Sequence, residues 1–167
     1  MLGSRWLRLL PDFNIMNVPS YSKTTLRIAN AIGELTRVVA FVEEFGRDQG
    51  LPARAVNDLN LCLDEMLTNT ISYGYESSAP RVISVSLSAD GGYLQAEIED
   101  DARPFDPRRS APPELPRDLA SRKLGGLGLH FVNSLMDVVD YRWSDGYNRT
   151  TLKKSVQPSA GGFEREA

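Results

Sequence analysis

From residue 24 onward, apolar and polar positions change period in an ordered way. Leu26 and Ile28 alternate with polar neighbours over a short stretch, which predicts a strand. Leu35, Val38, Val39, Val42 and Phe45 then recur three and four apart and predict an amphipathic helix, closed by Gly46 and Gly50. Pro52 stands where a helix tolerates proline best, at its start, and Leu59, Cys62, Leu63, Met66 and Thr70 form the stripe of a second helix. Period two returns with Ile83, Val85 and Leu87, crosses a turn at Ala89-Asp90-Gly91-Gly92, and continues through Leu94, Ala96 and Ile98, which predicts a hairpin with one buried face. An irregular stretch runs from Arg103 to Leu124. Leu129, Val132, Leu135 and Met136 mark a third helix, Val139, Tyr141 and Trp143 a strand, Asp145-Gly146 a turn, and Thr150 to Ser155 a last strand. Helices interleaved with hairpins predict an α+β chain, a two-layer α/β sandwich whose mixed sheet is covered on one face by helices.

Polar groups that break this pattern carry the chemistry. On the second helix Glu65 and Asn69, four apart, fall on one line at the margin of the apolar stripe, whereas Asp64 falls on the solvent side. Such a pair is also common on the rim of a core. Counting by two from Leu94 puts Asp100 on the buried face just as its strand ends. A carboxylate there needs a donor, either a loop amide or an N–H of a ligand, because burying it unpaired costs several kcal/mol. Gly125-Gly126-Leu127-Gly128-Leu129 precedes the third helix; glycines at a helix start serve a turn or let backbone N–H groups approach a phosphate. The preceding loop holds Arg108, Arg109, Arg117, Arg122 and Lys123 against Glu114 and Asp118, and a proline-punctuated loop of this length is usually functional. It reads as a lid, about 108–124.

Composition narrows the chemistry further. The chain has 167 residues, 41% hydrophobic and 25% charged, the balance of one ordinary folded domain. One cysteine, Cys62, and one histidine, His130, leave no internal disulfide, thiolate zinc site or multi-histidine metal centre. A net charge of -3 argues against a dedicated nucleic-acid binder. No segment reaches the ~20 apolar residues of a membrane span and no signal peptide is evident, so a cytoplasmic location is expected. Residues 1–22 read as a loosely attached lead-in, 23–156 as the domain and 157–167 as a polar tail.

Taken in order, Glu65-x-x-x-Asn69, the phrase Asp100-Asp101-Ala102-Arg103-Pro104-Phe105-Asp106-Pro107 and the glycine run 125–129 resemble the three nucleotide boxes of the GHKL (Bergerat-fold) ATPases. The Pro-Phe-Asp-Pro ending and the short chain resemble more closely their anti-sigma-factor serine/threonine kinases, over about residues 24 to 155. The resemblance implies ATP and Mg²⁺ as cofactors. It implies Glu65 as the general base, Asn69 as the Mg²⁺ ligand and Asp100 as acceptor from the adenine amine. Ala102, Phe105, Lys123, Gly125, Gly126, Leu127, Gly128, Leu129 and Asn148 complete the implied ATP site. Ala102 replaces a glycine frequent in the superfamily, and Asn148 stands about where relatives place a threonine. Implied partners are a sigma factor and a small STAS-type antagonist protein, the latter as phosphoacceptor, with a homodimer as the assembly. The rival reading is a nucleotide-gated binding module without phosphoryl transfer. Neither a Val-Ala-Ile-Lys nor a His-Arg-Asp motif of two-lobed protein kinases occurs, and His130 follows the glycine box and reads as a helix residue rather than a phosphoacceptor.

Overall fold

A computed structural model of the chain describes residues 23–109 and 127–156. The expected lead-in, most of the expected lid, Lys123, Gly125, Gly126 and the tail lie outside the described residues. Strand β1 (Thr24–Ala29) leads through a short helical turn, Ile32–Glu34, into helix α1 (Leu35–Asp48), followed by α2 (Ala53–Tyr73). The hairpin of β2 (Val82–Asp90) and β3 (Tyr93–Asp100) comes next, then a helical turn at Pro107–Arg109, α3 (Leu127–Leu135), β4 (Val138–Ser144) and β5 (Tyr147–Ser155). Every element that the periodicities predict is present.

Helix α1 buries Val38, Val42 and Phe45, while Val39 turns outward. It does not close at Gly46. That glycine lies inside the helix against α2, where a β-carbon would come within 2.5 Å of Val56 Cγ2, so its small size sets how closely the two helices approach. The helix ends instead at Gly50, whose φ of +61° lets Leu51 N–H reach back to Gly46 O and Gly50 N–H to Arg47 O, the paired bonds of a Schellman cap. Pro52 is the N-cap of α2, and its carbonyl accepts from Ala55 and Val56. Helix α2 then buries Leu59, Cys62, Leu63, Met66 and Leu67 against the sheet.

The sheet order is β1-β2-β3-β5-β4, and all four pairings are antiparallel. This corrects the expectation of a mixed sheet. The crossover through α3 does make β3 and β4 run the same way, but β5 turns back at Asp145-Gly146, where both residues hold positive φ, and inserts between them. The parallel strands therefore never pair. On the inner face Ile83, Val85, Leu87, Leu94, Ala96 and Leu152 are fully buried under the helices, each large aliphatic side chain contributing about 1.5–3 kcal/mol. On the other face stand Ser84, Ser86, Glu97, Glu99 and Thr151, with Arg149 and Glu99 paired at 2.7 Å. A layer with one polar face needs cover on one side only, as the two-layer expectation requires. No helix among the described residues is long and apolar enough to cross a membrane.

Candidate active site

A cavity of about 1180 Å³ opens where β3, β5 and β4 meet the C-terminal half of α2, the loop after β3 and the start of α3. Its walls include Asn69, Asp100, Phe105, Leu129, Tyr141 and Asn148. Strand parity brings Asp100 there: it follows Leu94, Ala96 and Ile98 on the inner face and is only 4% exposed. Of the two donors left open for it, the structure supplies the protein one. Ala102 N–H (3.0 Å) and Asn148 Nδ2 (2.7 Å) both donate to Oδ1. Oδ2 receives no hydrogen bond among the described residues. Burial pushes the Asp100 carboxyl up from the ordinary range, the two donors oppose this, and the neighbouring Asp101 and Glu99 add to it.

Asn148 faces Asp100 across the β3–β5 ladder, and its amide also donates to Ala102 O (3.1 Å) and Arg103 O (3.3 Å). Its Oδ1 accepts from Tyr141 OH (2.8 Å) and Phe105 N–H (3.3 Å). The loop 102–105 is thereby clipped to β5. From the other side Arg103 N–H donates to Gly74 O at 2.9 Å, and the Arg103 guanidinium donates to Tyr73 O. The Ala102 methyl is buried against Gly74; a β-carbon on Gly74 would come within 2.8 Å of it. The missing glycine of the loop is matched by a glycine at the end of α2.

Asn69 lies half-buried on the cavity wall, its side chain with no hydrogen bond to a described residue. Glu65, one turn earlier and about 6 Å along the axis, is also half-buried but does not line the cavity. Its carboxylate presses on Gly128 in the first turn of α3, where a β-carbon would stand 1.8 Å from Oε2. Leu127 begins α3, Leu129 is buried on the cavity wall, and Phe105 stands half exposed at the rim. The described parts of the second and third boxes, Asp100 to Pro107 and Leu127 to Leu129, thus lie with the first at one end of the sandwich.

The sequence profile of the histidine kinase-like ATPase domain matches residues 28–154. The chain belongs to this family. The serine/threonine-protein kinase BtrW of Bordetella bronchiseptica is 29% identical over 140 residues, 83% of this chain and 99% of that protein. The serine-protein kinase RsbW of Listeria innocua is 26% identical over 119 residues, 66% of this chain and 76% of that protein. Among solved structures, the RsbU and RsbW domains of Rv1364c from Mycobacterium tuberculosis share the fold at a TM-score of 0.54 with 18% identity, covering 81% of this chain. The chain spans 33% of that solved chain's length.

Within this histidine kinase-like ATPase fold, several cavity residues escape a pattern reading. Thr150 is buried on the cavity wall, and its signal was available: it shares inward parity with Asn148 and Leu152. Tyr141 and Trp143 read only as alternating strand residues, yet both line the cavity. Gly74, the C-cap of α2, carries no signal in the pattern, and only the contact with Ala102 shows what its size permits. His130 is exposed on α3, away from the cavity wall.

Proposed function

We propose that this chain is an ATP- and Mg²⁺-dependent serine/threonine protein kinase acting as an anti-sigma regulatory factor, which phosphorylates a small antagonist protein and sequesters a sigma factor. The observation that carries the reading is the placement of Glu65 against the first turn of α3, one helical turn from Asn69 on the cavity wall. A helix N-terminus favours the negative charge of a triphosphate, and a carboxylate beside it is placed for a hydroxyl arriving there. The kinase names of the two curated relatives support the same chemistry, and the sigma-factor part rests on the motif resemblance.

In this reading Asp100 Oδ2 accepts from the adenine amine, and the side-chain amide oxygen of Asn69, a residue of the cavity wall, would supply the hard oxygen ligand that suits magnesium. Bound there with the nucleotide, Mg²⁺ would neutralise charge on the phosphates. Glu65 takes the proton of the acceptor hydroxyl as its oxygen bonds to the γ-phosphorus, the bond from that phosphorus to the bridging oxygen breaks, and ADP leaves. Incubation of the chain with γ-labelled ATP, Mg²⁺ and candidate antagonist proteins tests it. Label should reach serine or threonine of a cognate acceptor, and Glu65→Ala should abolish transfer while ATP still binds. Tight ATP binding with no transfer to any acceptor would replace the kinase by the nucleotide-gated module.

A further inference from the structure

A purine presents either an amine or a carbonyl at C6, and a carboxyl group distinguishes the two by its protonation: ionised it only accepts, protonated it donates. What holds Asp100 in one form is therefore a specificity question. It rests on the nucleotide reading above.

The orientation of the Asn148 amide is fixed by partners of unambiguous polarity. Phe105 N–H on one side only donates, while the carbonyl oxygens of Ala102 and Arg103 on the other only accept. Nδ2 therefore faces Asp100. Phe105 N–H also points at the Tyr141 oxygen (3.1 Å), so the phenol's own hydrogen goes to Asn148 Oδ1. Both lone pairs of that oxygen are taken, and both amide hydrogens are shared among three acceptors. No capacity is left on Asn148 for a base. Its bond to Asp100 acts on the carboxylate instead.

We propose that Asn148 and Tyr141 are positioning residues that hold Asp100 as an acceptor-only carboxylate and so set a preference for 6-amino over 6-oxo purine nucleotides. The surroundings make such a device necessary. Glu99 and Asp101 flank Asp100 on its own strand end, and the phenols of Tyr75, after α2, and Tyr141, on β4, are near enough to feel its charge. Among the described residues the nearby cations are engaged elsewhere, Arg81 on Asp101, Arg103 on Tyr73 O, and Arg108 on Asp106 and Asp140. Only the Asn148 amide and Ala102 N–H, among the described residues, offset the cost of a buried charge. Without Asn148 the carboxyl takes a proton at higher pH, and the protonated group donates to a 6-oxo base.

The test is calorimetric titration of the full chain with Mg·ATP and Mg·ITP at pH 6 and pH 8. The native chain should favour ATP by the same ratio at both. In Asn148→Leu the ATP-to-ITP ratio should fall about 10-fold, the effect of one hydrogen bond to a charged group, and fall further at pH 6. Asn148→Asp, which puts an oxygen where Nδ2 donates, should lower it at least as much. Tyr141→Phe should fall less, because Phe105 N–H still restrains Oδ1. Equal weakening of both nucleotides at both pH values would mean a merely structural role and overturn the proposal. Should Asn148→Leu fail to fold, an unchanged ratio in Tyr141→Phe overturns it equally. A native chain that binds neither nucleotide would instead overturn the nucleotide reading itself.

Discussion

Gly128→Ala separates the chemistry of this site from its folding. The added β-carbon would stand 1.8 Å from Glu65 Oε2, 2.4 Å from Cδ and 3.1 Å from Cγ. Real β-carbons keep at least about 3.0 Å, so the Glu65 carboxylate must retreat by about 1.2 Å, the difference of those two distances. It has room to do so at little cost, because it is the end of a flexible side chain with no hydrogen bond among the described residues. The backbone gains instead: alanine in place of glycine in a helix contributes about 0.5–1 kcal/mol. A misplacement near 1 Å of a reacting group costs about 100-fold in rate. The expected variant is thus at least as stable as the native chain, binds Mg·ATP more weakly because Gly128 belongs to the implied phosphate cradle, and at saturating nucleotide transfers phosphate about 100-fold more slowly. Thermal melts, calorimetric titration and a single-turnover transfer assay read the three quantities separately. Native transfer rates in a folded Gly128→Ala would refute the placement of Glu65 as the base.

Asp100→Asn keeps the shape that Asn148 and Ala102 hold. Because burial raises the Asp100 carboxyl, the folded chain binds its proton more readily than the unfolded chain, and stability from this group falls as pH rises from the ordinary aspartate value of about 3.9 through the raised one. Asp100→Asn should therefore melt higher than native at pH 7, with the gap closing toward acid, while losing discrimination against 6-oxo nucleotides; a lower melting point at pH 7 would contradict this. Gly74→Ala brings a methyl within 2.8 Å of Ala102 Cβ and 2.5 Å of Thr70 O, and should cost about 1–3 kcal/mol in a urea titration. Adding Ala102→Gly should recover part of that, since only the Thr70 contact then remains; strict additivity of the two changes would deny the contact. The Cys62 thiol, pushed up to about 12 chiefly by burial and further by Asp58, should resist alkylation at pH 8 until denaturant exposes it. Rapid labelling of the native chain would show that the core opens locally.

What the chain spells out and what it conceals follow from the range of the interactions. Elements defined by period alone, from Leu26 and Ile28 to Thr150–Ser155, are legible because each periodicity is local. Gly46 was misread for the same reason: a glycine near a helix end resembles a stop, and only Val56 of the next helix shows that it is a contact. The antiparallel sheet was hidden because strand order depends on β5 returning inside β3 and β4, a choice between distant partners. Asp100 could be placed from parity, but its partner Asn148 lies 48 residues away and its supporting Tyr141 looks like any strand aromatic. Ala102 likewise looked like a departure until Gly74 stood beside it.

The insertion of β5 between β3 and β4 has a consequence for the order in which the molecule comes into being. The hairpin of β2 and β3 and both long helices are translated well before residue 147, so the β3 edge is made before the strand that covers it. Strand β4 has no partner until the strand after it arrives. The pocket wall carrying Asn148, Thr150 and Tyr141 is thus the last part of the described sheet to be completed. In the proposed reading, a chain that already carries Glu65 and Asn69 would still be unable to read a nucleobase until β5 docks, so competence would arrive in one step with that strand.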